Sequence, residues 1–176
     1  MSRTLLAGAV LLFALCGAAQ AAPGEAAATL AGAAGAGGTA TLREGPSGVL
    51  LHIAVNGLTP GWHAMHFHEK GDCSDPKFQT AGAHINHADP KAPHGLLNPG
   101  GPDFGDLPNI YVGADGAGQA DAFSALVSLN GAGGRPALLD TDGSSIVVHA
   151  SPDDYTSQPI GGAGARIACG VVKTAP

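Results

Sequence analysis

The sequence predicts an all-β fold, an antiparallel sandwich or barrel of about eight short strands. Three observations point there. Apolar residues recur at every second position over short runs, as in Val49, Leu51, Ile53 and Val55, the period of a half-buried strand. Those runs are punctuated by many of the 28 glycines and 13 prolines found among 176 residues, the residues that turns require. No run carries a helical period, charged residues make up only 12% of the chain, and the 44% hydrophobic share leans on alanine. A long helical bundle or coiled coil, rich in Glu, Lys and Leu, is thereby excluded.

The elements follow in chain order. Arg3, the apolar run Leu5–Cys16 and Ala19-Gln20-Ala21 have the form of an export signal over residues 1–21, cleaved after Ala21. The apolar run is shorter than the ~20 residues needed to span a bilayer, so no membrane partner is expected once the signal is removed. A lipoprotein signal at Cys16 is the alternative, but Leu15 stands before it where a small residue belongs. Residues 22–37, almost all Ala and Gly, read as a flexible leader that passes into a first strand near Ala26–Ala31, with the main domain at 38–176. Thr39–Glu44 and Val49–Asn56 flank the turn Gly45-Pro46-Ser47-Gly48 as a hairpin, with His52 and Asn56 on the solvent face. Gly57–Gly61 turns the chain into a strand over Trp62–Lys70. Gly71–Pro108 has no period but is rich in Gly, Pro, Asp and His, and a segment that long without structure inside a compact domain is usually functional or disordered. Strands resume at Asn109–Val112, then at Ala122–Leu129 after the turn Asp115–Gly118, then at Ser145–His149. The irregular Ala150–Ala165 precedes a last strand at Arg166–Val172.

Two further readings come from composition. Eight basic against fourteen acidic residues give a net charge of −6, which argues against nucleic acid as a partner. Cys16 leaves with the signal, and the remaining pair, Cys73 and Cys169, is most simply one disulfide in an exported chain.

Chemistry concentrates in the histidines. Of the eight, six fall between His63 and His94. On a strand over Trp62–Lys70, His66 and His68 share one face, while His63 shares the other with Met65 and Phe67 and is expected to pack rather than bind. Paired neutral imidazoles suit a transition metal, although an isolated H-x-H is more often a surface pair. His84, His94, Asp103 and Asp106 in the long loop, and His149 at the end of a distant strand, raise the pair above that. Together they make two sites conceivable, a nitrogen-rich copper site and a mixed nitrogen/oxygen zinc site.

At this point the residues resemble a family. His63-Ala64-Met65-His66-Phe67-His68-Glu69-Lys70-Gly71-Asp72-Cys73 is similar to a segment of bacterial copper,zinc superoxide dismutases. Ala81–His84, Pro93-His94-Gly95, Gly105–Asn109, Val147-Val148-His149 and Arg166–Val171 match further family segments in the same order. The resemblance runs from about Gly38 to Val172. It implies an eight-stranded Greek-key barrel with long metal-binding and active-site loops, one copper and one zinc per subunit, and a periplasmic enzyme acting on superoxide as monomer or homodimer. It further implies copper on His66, His68, His84 and His149, and zinc on His84, His94 and Asp106, with His84 bridging and passing a proton. Arg166 would stand beside the copper and hold the anionic substrate. Asp153 would orient histidines of both sites, and Cys73–Cys169 would be the family's disulfide.

The chain departs from the pattern in two places. Asp103 stands where the family usually has a third zinc histidine, and since aspartate is a zinc ligand in its own right, a His84/His94/Asp103/Asp106 site is expected. Ala150–Ala165 carries no Lys or Arg, unlike the lysine-bearing loop of many relatives, so Lys70, Lys77 and Lys91 are the candidates to steer an anion. His87 and His52 receive no role. The alternative to an enzyme is a non-catalytic copper/zinc-binding protein on the same scaffold, but a buffer has no need of Arg166.

Overall fold

A computed structural model describes residues 24–88 and 90–175; the expected export signal lies outside the described residues. Among the described residues ten strands form two antiparallel sheets: β1 (Glu25–Gly32), β2 (Gly37–Gly45), β3 (Gly48–Asn56), β4 (Gly61–His63), β5 (Met65–His68), β6 (Ile110–Val112), β7 (Gly118–Ser124), β8 (Ser145–His149), β9 (Arg166–Val171) and β10 (Lys173–Thr174). The large sheet runs β5-β8-β9-β1-β2-β3-β7, with β10 on the edge of β1, and the small one pairs β4 with β6. Since β6 lies beside β7 and β4 leads directly into β5, the chain from Gly61 to His68 joins the two ends of the large sheet and the fold curls closed.

The two-residue period carries the core. Val49, Leu51, Ile53 and Val55 of β3 are buried while His52 and Asn56 face solvent, and Met65 and Phe67 of β5 join them in one apolar cluster with Leu42, Ile110, Leu129 and Ile146. Each fully buried side chain of this kind contributes about 1.5–3 kcal/mol.

Three boundaries differ from the sequence reading. The first strand expected near Ala26–Ala31 is present and longer, β1 at Glu25–Gly32, so most of 25–37 is not a leader; Ala26, Ala28 and Leu30 alternate inward against β2, and side chains that small mark the period only weakly. The expected Trp62–Lys70 strand is two strands, broken at Ala64, whose N–H donates to the Ser151 carbonyl and whose carbonyl accepts from His149 N–H, both at 2.9 Å. The strand expected at Ala122–Leu129 begins at Gly118 and ends at Ser124, since the turn closes one residue earlier by a bond from Gly113 N–H to the Ala117 carbonyl at 2.8 Å.

Candidate metal centre

The site is built on β5 and the loops drawn across it. Along β5, Phe67 N–H donates to the Gly105 carbonyl at 2.9 Å, Ile85 N–H donates to the Phe67 carbonyl at 3.1 Å, and Glu69 N–H donates to the Ala83 carbonyl at 2.9 Å. The long irregular segment therefore lies against the strand as two short strand-like pieces, placing His84 opposite His68 and Asp106 opposite His66. His66 and His68, on the face away from Met65 and Phe67, are buried by this cover. On the other side of β5, β8 brings in His149, and a bulge at Val148/His149 sets His149 opposite Arg166 of β9. Such a bulge re-aims a side chain where regular pairing would have turned it away.

Each imidazole has one nitrogen occupied and one without a hydrogen-bond partner. His66 Nε2 meets Asp153 Oδ2 at 3.1 Å, His68 Nδ1 meets the Gly82 carbonyl at 3.0 Å, His84 Nδ1 meets Asp103 Oδ2 at 3.1 Å, and His149 Nδ1 meets the Gly164 carbonyl at 3.2 Å. The opposite nitrogens, His66 Nδ1, His68 Nε2, His84 Nε2 and His149 Nε2, are buried with no partner. One ligand atom from each of these four residues lies within 4.8 Å of the others. Four converging lone pairs in a dry pocket are costly unless something electrophilic accepts them. Desolvation by burial pushes His66 down to about 3, His68 to about 2 and His149 to about 4, so all three stay neutral, the form that ligates a metal.

A second compartment lies on the Nδ1 side of His84. Asp103 Oδ2 is 3.8 Å from His94 Nδ1, and Asp106 Oδ1 is 2.5 Å from His94 Nδ1 and 3.8 Å from His84 Nδ1. His66, His84, His94 and Asp106 also form a set able to hold a metal, but with Nε2 taken by Asp153, His66 has one free nitrogen and serves one set only. Desolvation disfavours the His94 imidazolium, yet Asp103, Asp106 and Asp153 outweigh it and push His94 up to about 11. Burial alone would raise the Asp103 carboxyl; contacts with His84 and His94 hold it far below the usual range instead. Two buried carboxylates with two imidazoles demand positive charge, and a divalent cation with nitrogen and oxygen donors supplies it. The donor atoms thus fit a nitrogen-only metal and a mixed-donor metal side by side.

Asp153 joins the compartments, with Oδ1 3.1 Å from His94 Nε2 while Oδ2 holds His66. Arg166 donates through Nη1 to the Phe78 carbonyl at 2.5 Å and through Nη2 to the Gly82 carbonyl at 2.6 Å, which fixes the guanidinium in the wall of a cavity of about 510 Å³ that His68, His84 and His149 also line. Cys73 and Cys169 form a disulfide, Cα–Cα 5.8 Å, tying that loop to β9. His63 packs as expected, its ring nitrogens 2.7 Å from the His149 carbonyl and 2.8 Å from the Thr59 carbonyl. His87 is exposed, and His52 pairs with Asp121 on the outer sheet face at 2.6 Å.

Three supporting residues escaped the sequence reading. Gln158 accepts from His94 N–H at 3.0 Å and donates to the His94 carbonyl at 2.8 Å, gripping the backbone of that residue from both sides. Asn109 does the same for Asp153, accepting its N–H and donating to its carbonyl, both at 2.9 Å. Gly161 leaves the room that Asp153 fills. The available signal was that Gln158 is the only amide side chain in Ala150–Ala165.

Fold and site together define a metalloprotein on an antiparallel barrel, with two adjoining sets of buried donor atoms. Residues 36–172 match the family described as copper/zinc superoxide dismutase (SODC). A Cu-Zn superoxide dismutase of Caulobacter vibrioides is 66% identical over 136 residues, 77% of this chain and 78% of that protein. Among solved structures, a SOD-like protein from Bacillus subtilis superimposes with a TM-score of 0.75 at 37% identity, over 82% of this chain and 96% of that one. The Cu/Zn superoxide dismutase from Brucella abortus does so with a TM-score of 0.66 at 30% identity, over 85% of this chain and 99% of that one. The chain belongs to the copper/zinc superoxide dismutase family, enzymes whose cofactors are copper and zinc. The family resemblance, the all-β barrel and the enzyme class read from the sequence are borne out.

Proposed function

We propose that the chain is an exported superoxide dismutase, acting in the periplasm as monomer or homodimer, in which His84 bridges the two metals. Copper would be held by His66, His68, His84 and His149, and zinc by His84, His94, Asp103 and Asp106. The observation that carries this assignment is the set of buried, partnerless nitrogens on His66, His68, His84 and His149, while the other nitrogen of His84 faces Asp103 and Asp106. Copper bound there supplies the one-electron chemistry that takes one superoxide to oxygen and a second, with two protons, to hydrogen peroxide; zinc has no redox chemistry.

The chain's own groups supply the rest. Arg166 faces the cavity with its guanidinium pinned by two carbonyls, so a small anion meets a charge that needs no reorganisation. His84 Nε2 lies among neutral imidazoles and is placed to carry a proton into the cavity. Asp153, kept ionised, holds the two rings it touches in one tautomer each, because only an N–H can face a carboxylate.

The test is metal content and turnover on the protein recovered from cells. One copper and one zinc per chain, copper-dependent superoxide turnover and an N-terminus at Ala22 in the periplasmic fraction are expected. In His84→Ala both metals should bind more weakly. A variant that loses one metal and keeps the other at wild-type affinity refutes the bridge, and a cytosolic chain starting before Ala22 refutes export.

A further inference from the structure

We infer that Asp103 sorts the two metals, its carboxylate keeping copper out of the compartment meant for zinc. This rests on the copper and zinc assignment proposed above. Access does not separate the ions, because both compartments border one cavity, which His68, His84 and His149 line from the nitrogen-only set and His94 and Asp103 from the mixed one. An ion that reaches one set therefore reaches the other. Bare affinity does not separate them either, since copper(II) outbinds zinc at most sites of nitrogen and oxygen. What is left is the kind of donor. Imidazole nitrogens widen the lead of copper, whereas hard carboxylate oxygens narrow it and offer copper(I) little.

Asp103 and Asp106 divide their oxygens in the same way. Asp103 Oδ1 accepts from Gly105 N–H at 2.9 Å, while Oδ2 lies 3.1 Å from His84 Nδ1 and 3.8 Å from His94 Nδ1. Asp106 Oδ2 accepts from Gly95 N–H at 2.7 Å and from Asp103 N–H at 3.0 Å, and its Oδ1 faces the same two imidazoles. Each carboxylate thus spends one oxygen on the backbone and keeps one for an ion, which makes the set two nitrogens and two oxygens. The backbone bonds tie these oxygens down, so the set resists flattening toward the tetragonal arrangement that copper(II) prefers, whereas zinc has no such preference. Charge acts in the same direction. Both carboxylates are buried and together balance a divalent ion, and copper(I) in its place would leave one negative charge uncompensated out of water.

The experiment titrates the metal-free protein, as wild type, Asp103→His and Asp103→Asn, with copper(II) and with zinc against a competing chelator. Asparagine keeps an oxygen for Gly105 N–H, so that variant removes the charge while preserving the turn. Wild type should take one copper tightly and a second about tenfold or more weakly than Asp103→His does. Electron paramagnetic resonance should show an isolated copper in wild type and a magnetically coupled pair in Asp103→His. With equal amounts of copper and zinc, wild type should hold one of each, while Asp103→His should give up part of its zinc to copper. Zinc affinity should fall about tenfold or more in Asp103→Asn, no less than the loss of an outer partner of a ligand costs. A second copper bound as tightly by wild type as by Asp103→His, or wild-type zinc affinity in Asp103→Asn, overturns the proposal. Loss of the first copper to added zinc in wild type overturns the copper assignment of the proposed function instead, and the zinc affinity of Asp103→Asn then still decides whether Asp103 ligates.

Discussion

Asp153 illustrates how much of the site depends on a side chain that is expected to touch neither metal. Its two oxygens face one histidine of each compartment, its own N–H and carbonyl are gripped by Asn109, and its carboxyl is held far below the usual range, since bonds from His66, His94 and Tyr155 N–H outweigh the burial that would raise it. The space it occupies exists because residue 161 has no side chain. A Cβ on Gly161 would stand 1.7 Å from Asp153 Oδ1 and 3.0 Å from His94 Nε2, at a φ of +59° that L residues rarely adopt. Gly161→Ala must therefore move Asp153 and with it both rings. Outer partners of ligands typically set 10–100-fold in metal affinity, so zinc retention in chelator competition should fall by about tenfold or more, as it should in Asp153→Asn. Wild-type retention in Gly161→Ala would show that the carboxylate is not what orients His94. Asp153 was legible from the family pattern, but Gly161 was not. It sits in a run with Gly162 and Gly164, all at positive φ, and nothing in the sequence tells which of the three abuts the carboxylate.

Among the elements, those read correctly announce their period with large side chains. β3 shows Val, Leu and Ile at alternate positions, and β5 shows Met and Phe against two histidines. β1 carries its period on Ala26, Ala28 and Leu30, where burial is as complete but the sequence contrast is weak. The break at Ala64 was not legible at all, because it depends on backbone partners at His149 and Ser151, far away in sequence. One non-local tie was legible, the Cys73–Cys169 disulfide, and its consequences separate into two. Closing a separation of 96 residues is worth on the order of 4–5 kcal/mol in the chain-entropy model, so Cys73→Ser/Cys169→Ser should lower Tm by about 10–15 °C. The same bond steadies the loop whose Phe78 and Gly82 carbonyls pin Arg166. Turnover measured well below the new Tm should thus fall while copper content stays near one per chain. Equal and complete loss of copper would mean that the disulfide holds the ligands themselves and not only the arginine.

At the scale of the whole molecule, the two compartments pull stability in opposite directions along the pH axis when no metal is bound. His66, His68 and His149, held at about 3, 2 and 4 chiefly by desolvation, stay neutral in the folded chain below the pH at which they take up protons in the unfolded chain, near 6.5. From about pH 6.5 down to about 4 the unfolded state thus binds up to three more protons, and stability falls as pH falls, by as much as about 4 kcal/mol per pH unit near pH 5. Asp103 and Asp153, whose folded pKa values are depressed, add stability above about pH 4 that is lost below it. His94 has the opposite sign. Raised to about 11 by the carboxylates that overcome its desolvation, it stabilises the fold fully below about 6.5, and that contribution drains away at about 1.4 kcal/mol per pH unit as pH rises towards 11. The metal-free protein should therefore be most stable near pH 6.5, with a steep acid limb and a shallow alkaline one. At the proposed site zinc would take the place of the His94 proton and stabilise the fold by mass action, about 4 kcal/mol at a thousand times its Kd. Its addition should raise Tm and flatten the alkaline limb while leaving most of the acid limb to copper. Calorimetry of the metal-free and zinc-loaded protein between pH 4.5 and 10 checks this: a metal-free Tm that does not change between pH 5 and 6.5 would mean that the three imidazoles are already protonated in the folded chain, and the nitrogen compartment could then not be the dry, neutral donor set described above.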